Sequence, residues 1–142
     1  YRLNINDIRY YMNIALIESK KAAKKNEIPV GSIVVSKITK KIISKAHNQT
    51  EKLSDPTAHA EILAIRKAAK KINDWRLTNH VIFTTLEPCK MCMEMIKEAR
   101  IQTIYYGAVN TSKQKKIKEP ECIKFEIKES GLNIKEFFKK IR

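Results

Sequence analysis

The chain is poor in residues that break regular structure. Its 142 residues include three glycines and four prolines, which excludes a low-complexity or linker-like protein. No apolar run approaches the roughly 18 residues that a membrane-spanning helix needs. Aromatic residues make up only 7% of the chain, and it has no aromatic stacking motif. Both features argue against a generic module that binds single-stranded nucleic acid. The hydrophobic content of 43% is high enough for one packed domain, which we expect to span residues 1–142.

Cysteine is scarce as well. The chain has three cysteines, so they cannot all pair with one another in disulfides. No secretory signal peptide is visible. A reduced, cytoplasmic setting is therefore the expectation.

Acidic residues are few compared with basic ones. There are 29 Lys and Arg residues against 15 Asp and Glu residues, a formal net charge of +14. Such an excess favours a polyanionic partner such as nucleic acid. An AT-rich genome, which encodes many lysines and isoleucines, would produce the same composition without any such partner. Composition alone leaves both explanations open.

Apolar periodicity predicts helices that alternate with strands. We interpret Asp55 as the cap of a helix that begins at Pro56, and Pro88 as the start of another helix. The alternation predicts an α/β fold, a three-layer α/β/α sandwich around a five-stranded sheet. The predicted helices cover residues 7–25, 55–71, 88–99 and 133–141, and the predicted strands cover residues 30–36, 41–47, 80–85, 102–106 and 123–128.

Two segments, residues 55–61 and 86–92, differ from ordinary core patterning. They contain His59, Cys89 and Cys92, three ligands of the kind that zinc prefers. The two cysteines are three residues apart at a predicted helix start, so they share one face. Three protein ligands indicate a catalytic site, because a structural zinc site usually has four. The alternatives are a fourth ligand from Cys122 and a chance or redox Cys-x-x-Cys pair.

Glu61 follows His59 by two residues. In a regular helix such residues point to different sides, so Glu61 is not predicted to be a further metal ligand. A carboxylate close to the metal would instead act as general acid and base. The alternative is a solvated helix residue.

The combination of His59-Ala60-Glu61 with Pro88-Cys89-Lys90-Met91-Cys92 resembles the zinc-dependent cytidine deaminase-like superfamily. One branch, the bacterial tRNA-specific adenosine deaminases, resembles more of the chain. That resemblance covers residues 27–31, 47–48, 55–61, 85–89, 100–101, 106–108 and 137–142.

The resemblance implies a cytidine deaminase-like fold with a mixed sheet, one zinc ion per chain and a homodimer. His59, Cys89 and Cys92 would hold the metal, and Glu61 would be the catalytic acid and base. The reaction would be hydrolytic deamination of adenosine to inosine at the wobble position of a tRNA anticodon loop, with other single-stranded nucleic acid as the alternative partner. The expected substrate contacts are Asn48, the pocket walls Ile28 and Leu86, main-chain amides near Ala60 and Glu87, and Asn110 near the substrate backbone.

Several alternatives remain open at this point. Ile28 and Leu86 could be core residues, and Asn48 could be a turn residue. Asn110 stands where the branch usually has Asp, residues 93–95 are bulkier than usual, and the stretch after Asn110 is shorter. The rival functions are a guanine- or cytosine-type deaminase of free bases or nucleosides, and a non-catalytic RNA-binding partner subunit.

Overall fold

A computed structural model of the chain describes residues 3–108, residue 110, and residues 135, 136, 139 and 140. The backbone contacts group the chain into two units, Tyr1–Thr111 and Ser112–Arg142. In the second unit, the four described residues are helical and exposed. The elements of the first unit are α1 (Ile5–Lys24), β1 (Gly31–Ser36), β2 (Ile42–His47), α2 (Thr50–Leu53), α3 (Ala60–Ile72), β3 (His80–Leu86), α4 (Lys90–Glu98) and β4 (Thr103–Ala108).

The first unit is built on a mixed sheet, as predicted. The strand order is β2-β1-β3-β4, with β1 antiparallel to both neighbours and β3 parallel to β4. Gly31 pairs with His47, and Leu86 pairs with Ala108. The start of β1 and the ends of the other three strands therefore lie along one edge of the sheet. We call this edge, marked by Gly31, His47, Leu86 and Ala108, the carboxyl edge.

Helices cover both faces of this sheet, which confirms the three-layer sandwich. On one face, Ile33, Val35 and Phe83 pack with Tyr11 and Ala15 of α1. On the other face, the alternate strand residues pack against α3 and α4. That second core contains Val34, Ala46, Ala64, Ile65, Ala68, Leu77, Ile82, Ile96, Ala99 and Ile101.

Two helices begin later than the sequence predicts. Asp55 does not cap α3, because its Oδ1 accepts hydrogen bonds from the backbone N–H and the hydroxyl of Thr57, at 2.8 and 2.7 Å. These local bonds form a turn that competes with helix. His59 is the N-cap of α3, and Cys89 rather than Pro88 is the N-cap of α4. Both predicted starts were therefore wrong, because α3 begins four residues after Pro56 and α4 begins two residues after Pro88.

None of the predicted helices or strands covers residues 49–54, whereas the structure has the short helix α2 there. The predicted fifth strand at residues 123–128 and most of the closing helix at residues 133–141 lie outside the described residues. The interpretation of residues 1–142 as one domain stays a prediction. Among the described residues, no helix is long and apolar enough to cross a bilayer.

Gly31 allows α1 to lie directly on the first residue of β1. A Cβ atom at this position would overlap the Ala15 carbonyl oxygen and lie 2.5 Å from the Ser19 backbone nitrogen. Both are backbone atoms of α1, so the helix would have to move as a body. Alanine at position 31 is therefore expected to lower the free energy of unfolding by about 2–3 kcal/mol.

Chemical denaturation of the Gly31→Ala variant measures this effect. Gly107→Ala is the matched control, because its Cβ would meet the flexible end of Met12 and the Thr85 carbonyl oxygen, both at 3.1 Å. Equal losses at the two positions would contradict the close-approach argument.

Candidate metal centre

The amino termini of α3 and α4 meet at the carboxyl edge and bring three ligand side chains together. His59 and Cys89 are the N-caps of these helices, and Cys92 lies in the first turn of α4. The His59 Nδ1 atom is 3.4 Å from Cys92 Sγ and 3.7 Å from Cys89 Sγ. All three ligand atoms lie within 4.8 Å of one another.

This spacing fits a tetrahedral zinc ion. Zn–N and Zn–S bonds of about 2.0 and 2.3 Å place a nitrogen and a sulfur ligand about 3.5 Å apart. The two distances from Nδ1 bracket that value. The three residues are therefore positioned to bind one metal ion, and they are the one such cluster in the part of the chain that the structure describes.

The raised pKa of the Cys92 thiol also indicates that this site is built for a cation. Cys92 is fully buried, and burial strongly raises the pKa of its thiol, which the neighbouring Glu61 and Cys89 raise further. Without a cation, Cys92 would therefore be a protonated thiol. A divalent metal reverses that preference and stabilises thiolates. Cys122, the alternative fourth ligand, lies outside the described residues.

Glu61 lies in the first turn of α3 and is only 4% exposed. Its Oε1 atom has no hydrogen-bond partner among the described residues. A buried carboxylate oxygen without a partner is costly, and such groups concentrate where a ligand or reactant will bind. The solvated-helix alternative is therefore wrong for Glu61.

Asn48 follows β2 directly and lies at the same edge. It is 4% exposed, and its backbone N–H donates to the Val30 carbonyl oxygen at 3.1 Å. Its side-chain Oδ1 accepts a hydrogen bond from the Thr50 backbone N–H at 3.0 Å. The turn role that sequence reasoning left open for Asn48 is thus present in the structure, and it occupies only the carbonyl half of the side-chain amide.

The remaining predicted contacts differ in their exposure. Ile28 is 64% exposed, so ordinary core packing is wrong for it. Leu86 is half-buried at the end of β3, and Ala60 is fully buried in the first turn of α3. The Glu87 backbone N–H donates to the Ala108 carbonyl oxygen at 2.8 Å, which leaves this amide engaged in the sheet rather than free for a ligand. Asn110 is half-buried, two residues beyond β4.

Glu27 is a residue whose contacts the sequence did not reveal. Its carboxylate accepts hydrogen bonds from the backbone N–H groups of Glu51 and Lys52. The Lys52 N–H contributes most to lowering the pKa of Glu27, the Glu51 N–H and the nearby His47 and Lys25 add to it, and burial opposes the shift. The carboxylate therefore stays ionised at neutral pH. No local pattern could have found these partners, because they are 24 and 25 residues away.

Comparison with a family of known proteins matches most of the first unit. The family described as the cytidine and deoxycytidylate deaminase zinc-binding region matches residues 5–108. The tRNA-specific adenosine deaminase of Aquifex aeolicus is 39% identical over 145 aligned positions, covering 94% of this chain and 95% of that protein.

Solved structures show the same resemblance. One, from work on A-to-I editing by tRNA:A34 deaminases at the wobble position of transfer RNA, is 39% identical with a TM-score of 0.69 and covers 72% of this chain and 77% of its own. The guanine deaminase of Bacillus subtilis is 25% identical with a TM-score of 0.82, over 96% of this chain and 95% of that one.

Proposed function

We propose that this chain, which belongs to the cytidine deaminase-like zinc-dependent deaminases and within them to the tRNA-specific adenosine deaminases, converts adenosine to inosine in an unpaired stretch of RNA. The observation that carries this proposal is the three-ligand cluster of His59, Cys89 and Cys92 beside the buried carboxylate of Glu61. When bound there, zinc lowers the pKa of a water molecule towards neutrality and so supplies a nucleophile.

Glu61 is the proposed general acid and base. Water adds to C6 of adenine while a Glu61 oxygen takes one of its protons and delivers a proton to ring N1. The carboxylate then takes the remaining proton from the C6 hydroxyl and passes it to the amine; the C6–N bond breaks, C6=O forms, and adenosine and water become inosine and ammonia. The unpartnered Oε1 atom supports this role, because no described protein group competes for it.

The substrate contacts are proposed from position. Asn48 would hydrogen-bond the base or ribose, and Ile28 and Leu86 would contact the faces of the base. The exposure of Ile28 supports its role, because an apolar side chain next to the site is free to cover a base. Ala60 and Glu87 would contribute through their backbone groups, apart from the Glu87 N–H, which is already hydrogen-bonded to Ala108. Asn110 would lie near the RNA backbone.

Lysines at the end of α1 support a nucleic-acid substrate over a free base. Gly31 at the carboxyl edge lies against Ala15 and Ser19, so the last residues of α1, which follow Ser19, lie near that edge. Lys20, Lys24 and Lys25 are exposed there. An anticodon loop suits such a site, because its bases are already unstacked and need little energy to enter a pocket.

These lysines lead to a salt-dependent prediction. If about four phosphates are contacted, raising the salt from about 50 to 200 mM should weaken binding of an anticodon stem-loop about 50-fold. Exchanging both Lys24 and Lys25 for glutamine should make the dependence on salt less steep, as fluorescence anisotropy would measure. Lys41→Gln is the matched control, because exposed Lys41 precedes β2 at the opposite edge. A salt-independent affinity would contradict phosphate binding.

The test of the proposed function is a comparison of substrates. The chain should release ammonia from an adenosine-containing anticodon stem-loop and produce inosine, with little activity on guanine or cytidine. A guanine-type deaminase is the second candidate, favoured by the resemblance to the Bacillus subtilis enzyme. Turnover of guanine alone would replace our proposal by that one, and zinc binding without any turnover would indicate the partner subunit.

A homodimer and a cytoplasmic location complete the proposal. A largely apolar groove between α3 and α4 supports self-association. It is lined by Ile65, Arg66, Ala69, Trp75, Met95, Glu98 and Ala99. Cys89 and Cys92 are free thiols rather than a disulfide, which supports a reducing compartment. Light scattering of the purified protein and fractionation of cells test the two statements.

A further inference from the structure

We propose that Glu27 is a positioning residue that orients Asn48 for substrate binding, by fixing the segment after β2 to the segment before β1. Neither residue lies among the metal ligands. The inference rests on the proposed function, because it assigns Glu27 a part in binding the same substrate.

Glu27 supplies the cap that α2 lacks locally. The N-cap residue of this helix, Gln49, makes no side-chain capping hydrogen bond. The Glu27 Oε1 and Oε2 atoms instead accept from Glu51 N–H at 2.9 Å and Lys52 N–H at 3.0 Å. The Glu27 side chain is only 6% exposed, and a charged acceptor of two backbone N–H groups in such surroundings makes strong hydrogen bonds. Glu27 therefore ties the first turn of α2 to the segment before β1.

Asn48 depends on α2 in turn. The side-chain Oδ1 of Asn48 accepts a hydrogen bond from the backbone N–H of Thr50, the first residue of that helix. This bond fixes the orientation of the side-chain amide. The Asn48 amide nitrogen donates to no described residue and is the half that remains for a substrate acceptor. Loss of the Glu27 cap would release Thr50 and allow the amide to rotate.

The sign of the change in RNA binding distinguishes a positioning role of Glu27 from a purely electrostatic effect of its charge. Removal of a negative charge near an RNA site should strengthen RNA binding if charge alone mattered. The positioning role predicts the opposite sign. Glu51→Gln provides the matched control, because it removes the same charge from an exposed side chain on α2 and leaves its backbone N–H in place.

The experiment is a double-mutant cycle measured on an anticodon stem-loop. Glu27→Gln should lower kcat/KM about tenfold, mainly through KM, because one of two charged hydrogen bonds is lost. In the Asn48→Ala background the same change should have little further effect, since residues that act as one unit are not additive. Glu27→Asp should recover part of the loss, and Glu51→Gln should not reduce kcat/KM.

A second readout is independent of activity. Hydrogen exchange of the Glu51 and Lys52 amides should accelerate in Glu27→Gln and not in Glu51→Gln, with zinc content and thermal midpoint showing that each variant is folded. An undiminished tenfold effect in the Asn48→Ala background would overturn the proposal, as would unchanged amide exchange. A wild-type chain that does not deaminate RNA would instead overturn the proposed function, while the exchange measurement would still test the cap.

Discussion

Replacement of Glu61 by glutamine is expected to lower the rate of deamination by about 10³-fold, and zinc content should stay at about one ion per chain. Glutamine keeps the size and burial of the side chain but cannot take a proton from water or return one to the base. The loss should appear in kcat more than in KM, because proton transfer occurs in the transition state.

The measurement is single-turnover deamination of an anticodon stem-loop at saturating enzyme, with metal analysis on the same sample. Glu94→Gln is the matched control, since this exposed carboxylate on α4 forms an ion pair with Lys97 and, among the described residues, with no other side chain. If Glu61→Gln kept more than about a tenth of the wild-type rate, Glu61 would not be the general acid and base.

Replacement of Cys92 by alanine, unlike Glu61→Gln, should cause loss of the metal. Zinc content should fall from about one ion to a small fraction of one per chain, and deamination should fall to the limit of detection. Cys92 is one of the three clustered ligands, so only His59 and Cys89 would remain to hold the ion, and two protein ligands bind zinc much more weakly than three. The thermal midpoint should also fall, because metal binding stabilises the folded state by mass action.

Metal analysis and thermal unfolding with and without added zinc measure both effects. Cys122→Ser is the informative comparison, because it distinguishes a site with three protein ligands from a site in which Cys122 is the fourth. Wild-type zinc content in Cys122→Ser combined with loss in Cys92→Ala supports three protein ligands. Loss in both variants would establish Cys122 as the fourth ligand, and zinc retained by Cys92→Ala would exclude Cys92.

The sequence revealed most about features that depend on near neighbours. Cys89 and Cys92 were predicted to share a face because their spacing matches one helical turn, and α4 places both at one site. The position of Glu61 was harder to predict, because the rule for residues two apart assumes that both are helical. His59 is an extended N-cap with ψ of 152°, so that rule does not apply.

The errors came from groups whose partners the sequence could not specify. An Asp before a proline suggested a helix cap, but the bonds of Asp55 to Thr57 close a local turn. The backbone N–H of Glu87 suggested a free donor, but parallel pairing of β3 with β4 engages it with Ala108. Glu27 was missed because its partners are brought near only by the pairing of β1 with β2.

The convergence of strand ends at the carboxyl edge also bears on how such a protein can diverge. The residues proposed to contact substrate lie before β1, after β2, at the start of α3 and near the ends of β3 and β4, whereas the two cores lie between the sheet and the helices. The guanine deaminase of Bacillus subtilis shares the scaffold at 25% identity. Substrate choice and folding stability are thus encoded by largely separate stretches of chain, and exchanging the short connections at this edge is the economical route to a new substrate.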